Sequence, residues 1–281
     1  MVATANVVLK VETLFRFMKR LFIIFVVLGL GAVIWFSFNS VTDNNSTLEE
    51  RVSKEFNEEA ERIVALCGGK PKSAECYDEE VPRLMDVGFT MEEAFDVTRI
   101  VQTLDASYQY CHVLGHELSA RETAKDPSKW KDVVVRAPLG VCSNGGIHGA
   151  FQERFRVESM AGMSIDEIAP ELEGVCEARD GWTPTSMGTA TCIHALGHLT
   201  MYVTAADIDT SLDLCDRLVP SSNSGATRQL CYDGAFMQIY QPLEPEDFAL
   251  IAGKEIETRE ESLEFCQAFE GARKGSCLSE S

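Results

Sequence analysis

The chain has only five histidines, and four of them form two copies of one pattern. The segments 112–116 and 194–198 both read H-x-L-G-H, and the fifth histidine is His148. Residues four positions apart lie about one turn apart on the same face of a helix, so each copy predicts two imidazoles that point together. Imidazole binds zinc, copper, iron and nickel. The histidines therefore predict a transition-metal site.

A register based on cysteines adds two further candidate ligands. The segments that begin at Cys142, Cys192 and Cys231 share the pattern C-x-[N/H/D]-x-x-x-[H/M]. In the third segment Asp233 and Met237 take the positions that histidines occupy elsewhere, and both residue types can ligate or support a metal. The candidate metal ligands are therefore His112, His116, His148, His194, His198, Asp233 and Met237.

The ligand types admit several metals, with copper, zinc and iron all consistent with imidazole. A thioether ligand and an oxidising compartment lean towards copper. Glycines accompany the histidine windows and would allow either close backbone approach or room for a flat ring, so bis-histidine haem is a further expectation. Glu117 and Glu153 could fix imidazole tautomers or act as the base of an enzyme. The glycines are Gly115, Gly145, Gly146, Gly197 and Gly234.

Two other functions fit the same residues. Duplicated helices inherit similar side chains, so the histidines could be structural in a disulfide-stabilised helical module that binds an exported protein partner. A metal-dependent hydrolase or oxidase would instead keep one coordination position open. The motifs H-E-x-x-H, P-loop, dinucleotide fingerprint and G-x-S-x-G are absent from the sequence, so no catalytic residue is assigned.

The ten cysteines indicate export. Their number is even and none belongs to a C-x-x-C motif, which is typical of structural disulfides in an oxidising compartment. The spacing of 16 positions between Cys176 and Cys192 recurs between Cys215 and Cys231, which favours bridges between sequential cysteines. The predicted pairs are Cys67–Cys76, Cys111–Cys142, Cys176–Cys192, Cys215–Cys231 and Cys266–Cys277.

The elements that position these residues are predicted to be helices. Thr90 with Glu93, and Ser164 with Glu167, form capping boxes ahead of apolar residues at helical spacing. Strand-like patterning is scarce, and its best example is the short segment 132–136. The predicted fold is mostly α, with disulfide-tied helical hairpins repeated as an α-solenoid or a helical bundle.

The N-terminal region predicts membrane anchoring. Residues 21–38 are 18 uncharged, largely apolar residues, near the minimum for a membrane-spanning helix. Four basic residues against one acidic residue precede them, so the positive-inside rule places residues 1–20 in the cytoplasm. We expect an uncleaved single-pass signal anchor at 21–38, a juxtamembrane linker at 39–60 and an extracytoplasmic domain, periplasmic or extracellular, at 61–281.

Net charge excludes one class of partner. The formal charge is −19, with 44 acidic against 25 basic residues. Such a surface repels phosphate backbones, so nucleic-acid binding is not expected.

Overall fold

The computed structural model describes residues 49–156, 160, 163–219 and 225–281. The chain divides into residues 1–57 and residues 58–281, and the described part of the first unit, 49–57, is helical. The predicted cytoplasmic segment 1–20 and signal anchor 21–38 lie outside the described residues. Within the described ranges, no helix combines the length and apolarity needed to cross a bilayer. Residues 49–60, in the predicted linker, are helical.

The second unit is helical, as the sequence predicts, and its described residues contain no strand. Residues 58–67 form α1. The later helices are α2 (Ser73–Glu80), α3 (Met91–Leu104), α4 (His112–Lys125), α5 (Trp130–Arg136), α6 (Gly145–Arg154), α7 (Ile165–Leu172), α8 (Ser186–Val203), α9 (Ile208–Leu218), α10 (Gly225–Tyr240), α11 (Pro245–Leu250), α12 (Arg259–Gln267) and α13 (Gly271–Glu280).

Local sequence signals locate several of these elements. The two predicted capping boxes are confirmed at the starts of α3 and α7. The strand candidate at 132–136 is wrong, because this segment belongs to α5. Trp130, Val133 and Val134 are all buried there, and their i, i+3, i+4 spacing gives one apolar helical face.

All five predicted disulfides are confirmed, and no cysteine is free. The bridge Cys111–Cys142 joins the residue before α4 to the short 3-10 turn that leads into α6. The bridge Cys215–Cys231 likewise joins α9 to α10. The first bridge therefore holds the starts of α4 and α6 together, and the second joins residues within α9 and α10.

Two pairs of helices cross in the same way, and glycine makes both crossings possible. A Cβ atom on Gly145 would lie 2.2 Å from the His112 carbonyl oxygen, where α6 crosses α4. A Cβ on Gly234 would lie 2.1 Å from the His194 carbonyl oxygen, where α10 crosses α8. Only a residue without a side chain allows backbones this close. The repeat is thus a crossing pair, an H-x-L-G-H helix against a helix that contains the glycine of a C-x-[N/D]-G segment.

Aromatic clusters support the second helix of each pair. On α6, the Phe151 ring meets Trp130 of α5 with ring centroids 5.6 Å apart. On α10, Phe236 meets Phe269 with centroids 5.2 Å apart. The two pairs are neighbours, since α6 also packs against α8. The two H-x-L-G-H helices, α4 and α8, therefore both pack against α6, which carries His148.

Candidate metal centre

His112, His116 and His148 form one compact group of imidazoles. The ring centroids lie 4.6 Å apart for His112 and His116, 4.9 Å for His112 and His148, and 5.2 Å for His116 and His148. Nitrogens bound about 2.0–2.1 Å from a zinc-like ion at angles of about 90–120° would place ring centroids about 4.5–5.5 Å apart. One candidate ligand atom from each ring lies within 4.8 Å of the other two. The three side chains could therefore hold one metal ion.

The second histidine pair adjoins this group through His148. The ring centroid of His198 lies 4.8 Å from that of His148 and 5.0 Å from that of His194. His194 is farther from His148, at 6.3 Å. The predicted convergence of the five histidines is confirmed, although as many as 86 positions separate them in the sequence.

Burial keeps four of the imidazoles neutral. Burial, together with the neighbouring histidines, lowers the pKa of His112 to about 4 and that of His198 to about 3. The same causes lower the pKa of His148 well below its ordinary value. Burial also lowers the pKa of His194, although the charge of Asp233 opposes the shift. Neutral imidazole is the form that binds a metal.

Hydrogen bonds orient the rings so that Nε2 is left for a ligand. His112 donates from Nδ1 to the Cys142 carbonyl oxygen at 3.3 Å. His116 donates from Nδ1 to Glu244 Oε2 at 3.1 Å. These acceptors fix the tautomer in which Nε2 carries the lone pair. In His116, Nε2 is buried without a hydrogen-bond partner. An unpaired buried nitrogen is costly in a protein interior unless something binds it.

A buried network holds Glu244 in place. The Asp247 carboxylate accepts the backbone N–H groups of Leu243 at 3.0 Å and Glu244 at 3.1 Å, and the Tyr202 hydroxyl donates to it. Glu244 and Asp247 also form the capping box of α11. Burial opposes ionisation of Asp247, but these hydrogen bonds hold its pKa below the ordinary value. The backbone of Glu244, whose carboxylate contacts His116, is therefore held by Asp247.

The carboxylate that contacts a histidine is Glu244, and not Glu117 or Glu153, the two that the sequence suggested. Glu117 pairs with Arg121 at 2.6 Å and Glu153 pairs with Arg156 at 3.3 Å, whereas Glu244 contacts the histidine. Glu244 is 128 positions from His116, and no local pattern links them. The only sequence signal at Glu244 is a helix start, Glu-Pro-Glu-Asp, which predicts the cap but not its distant partner.

The helix α10 contributes to the second pair through Gln238. His198 donates from Nδ1 to Gln238 Oε1 at 2.8 Å, a contact that the sequence register missed. Asp233 acts on His194 electrostatically, and its Oδ1 atom is buried without a hydrogen-bond partner. Met237 is half-buried on the same helix. Metal ligation by Asp233 and Met237 stays a prediction.

A cavity of about 620 Å³ reaches the first histidine group through His116. Among the described residues, its wall also contains Tyr202 and four carboxylates, against the single guanidinium of Arg156. An excess of carboxylates in a cleft favours cations. The four carboxylates are Glu117, Glu153, Glu244 and Glu246.

No protein-family model, curated protein or solved structure matches this chain.

Proposed function

We propose that this protein binds a transition-metal ion through His112, His116 and His148. One observation carries the proposal: His116 Nε2 is buried and unpaired beside two other imidazoles, while its Nδ1 is held by Glu244. Metal-binding histidines usually donate a hydrogen bond from one ring nitrogen to a carboxylate or another acceptor and bind the metal through the other nitrogen. The acidic cavity at His116 supplies a path by which a cation reaches the group.

The chemistry of the site favours an ion over haem. The glycine faces that could have admitted a flat ring are occupied by opposing helices at the Gly145 and Gly234 crossings. All ten cysteines are in disulfides, so no thiolate competes with the imidazoles. An all-nitrogen site suits zinc, copper or iron. We therefore propose one of these metals as the native ligand.

We further propose that the protein works outside the cytoplasm, tethered to the membrane by residues 21–38. Five disulfides support an oxidising compartment. The basic segment ahead of residue 21 and the acidic remainder support this orientation. In that compartment the site would meet metal ions or metal-bearing proteins, and the acidic surface would disfavour nucleic acid.

Metal content of the purified protein tests the proposal. Full-length protein exported without a histidine tag should retain metal after desalting, and chelated protein should take up Zn²⁺ in a calorimetric titration. The double substitution His116→Gln and His148→Gln should abolish retention at the first site, because it removes two of three nitrogens. Phe269→Leu is the control, since it weakens the core and removes no ligand. Wild-type protein that binds no Zn²⁺, Cu²⁺ or Fe²⁺ would leave the interaction module as the better account.

The cavity favours one second candidate, a metal-dependent hydrolase or oxidase. Three imidazoles are the protein ligands of a catalytic site that keeps a further position for water or substrate. That position would face the space at His116, where Glu117 and Glu153 also lie. Azide added to Co²⁺-loaded protein should then shift its visible absorption bands. Bands that do not respond to azide would indicate a closed, non-catalytic site.

A further inference from the structure

His194 and His198 bring two ring nitrogens together in the second pair. The two Nε2 atoms lie 3.2 Å apart, and both side chains are half-buried. Two nitrogens bound about 2.0–2.1 Å from one tetrahedral ion are about 3.3–3.4 Å apart. The spacing of the pair therefore matches two ligands of one metal.

The outer hydrogen bond of His198 leaves its Nε2 as an acceptor that faces Nε2 of His194. His198 uses its single N–H, on Nδ1, to donate to Gln238 Oε1 at 2.8 Å. Gln238 also helps to lower the pKa of the Asp247 carboxyl, but the Gln238 amide nitrogen is buried without a hydrogen-bond partner. His194 hydrogen-bonds to the backbone of Leu230. A neutral imidazole has only one N–H.

Two lone pairs at hydrogen-bonding distance repel each other unless a proton or a cation lies between them. Neighbouring rings among the five histidines have centroids 4.6–6.3 Å apart, so a cation between these two nitrogens would lie close to further imidazoles. A metal ion satisfies both nitrogens at once. His148, whose ring centroid is 4.8 Å from that of His198, lies between this pair and the first group.

We propose that His194 and His198 hold a second transition-metal ion beside the first, so that the centre is dinuclear with His148 between its two halves. Asp233, whose Oδ1 is buried and unpaired near His194, supplies a carboxylate for the second ion. The two crossing pairs explain the arrangement, because each contributes one H-x-L-G-H face. The inference rests on the first site proposed above.

Stoichiometry tests the inference. Chelated full-length protein is titrated with Zn²⁺ by calorimetry, and bound zinc is counted after desalting. Wild-type protein should bind about two ions, whereas either double variant, His194→Gln with His198→Gln or His112→Gln with His116→Gln, should bind about one. Phe269→Leu should still bind two. Thermal unfolding followed by circular dichroism shows that each variant is folded.

Proximity is tested by loading wild-type protein with Cu²⁺ and recording electron paramagnetic resonance spectra. Two neighbouring ions should give dipolar broadening that disappears in both double variants. A wild-type stoichiometry of one ion, lost only in the His112 and His116 variant, would overturn the second site and leave the first intact. Two ions without dipolar coupling would overturn the dinuclear arrangement. No binding at all would overturn both proposals.

Discussion

At the residue scale, the hydrogen bonds made by Nδ1 orient three of the five imidazoles. His112, His116 and His198 direct Nδ1 to an oxygen, and the oxygens come from three sources: a backbone carbonyl, a carboxylate and an amide. A carboxylate partner fixes most firmly the tautomer and orientation of the ring that it holds, so His116 should be the strongest ligand of the three. The effect of Glu244 on metal affinity should therefore exceed that of other cavity carboxylates.

Replacing Glu244 tests this difference. Glu244→Ala removes the acceptor of His116 Nδ1, and Zn²⁺ affinity should fall about ten- to hundred-fold in a competition titration against a chelator. Glu246→Ala is the control, because Glu246 lines the same cavity but, of the described carboxylates, Glu244 is the one that pairs with His116. Equal losses in both variants would show that cavity charge, and not the contact with His116, supports binding.

At the element scale, the centre depends on two helix crossings that tolerate no side chain. The backbone of α10 meets that of α8 at Gly234, beside the His194 carbonyl oxygen. Any shift of α10 at this point would move His194 relative to His198. Helix packing therefore couples stability to ligand geometry.

Gly234→Ala should lower the free energy of unfolding by about 1–3 kcal/mol, since a methyl group cannot fit against backbone atoms without moving the helices. Gly275→Ala is the matched control, because Gly275 is helical and a Cβ there meets nothing within 4 Å. It should raise the free energy of unfolding by about 0.5–1 kcal/mol through helix propensity. Chemical denaturation measures both, and a Gly234→Ala protein as stable as the wild type would refute the close crossing.

The disulfides give a second prediction at this scale. Replacing Cys111 and Cys142 by Ala should cost about 4 kcal/mol by the chain-entropy relation, and replacing Cys266 and Cys277 should cost about 3 kcal/mol. Only the first bridge connects the starts of α4 and α6, which carry His112 and His148. Zn²⁺ affinity should therefore fall in the first variant and stay unchanged in the second. If Zn²⁺ affinity fell in the Cys266 and Cys277 variant and stayed unchanged in the Cys111 and Cys142 variant, the bridge Cys111–Cys142 would not support the site.

What the sequence could predict at this scale was local or repeated. The spacing shared by two cysteine pairs, extended to sequential pairing along the chain, predicted all five bridges. The H-x-L-G-H pattern and the cysteine register predicted which histidines meet. The sequence did not predict Glu244 or Gln238, because contacts across 128 and 40 positions depend on how helices pack. The interpretation of 132–136 as strand-like was wrong. Its three valines favour a strand, but together with Trp130 the buried valines form one face of a helix.

At the scale of the whole molecule, the disulfides and the N-terminal charges support the proposed location. Five disulfides are typical of an oxidising compartment, and four of the five charged residues before residue 21 are basic, as the positive-inside rule expects of a cytoplasmic segment. The metal site would then lie outside the cytoplasm, where ions arrive through the surrounding medium. The proposed exposure of the metal site outside the cytoplasm therefore depends on the orientation of the chain in the membrane.

Reporter fusions test the orientation. A C-terminal alkaline phosphatase, active only after export, should be active when fused to the full chain, because the basic N-terminal segment stays in the cytoplasm. The same fusion without residues 1–38 is the control and should be inactive. Activity of a C-terminal reporter that works only in the cytoplasm would contradict the proposed topology.

The central claim is that buried imidazoles bind a metal ion, and X-ray absorption at the zinc edge measures those ligands directly. Zn²⁺-loaded, tag-free protein should show a first shell of nitrogen and oxygen at about 2.0–2.1 Å, with the multiple-scattering features of several imidazole rings. These features should weaken in the His116→Gln and His148→Gln double variant. A first shell of oxygen alone, without imidazole scattering, would contradict the claim.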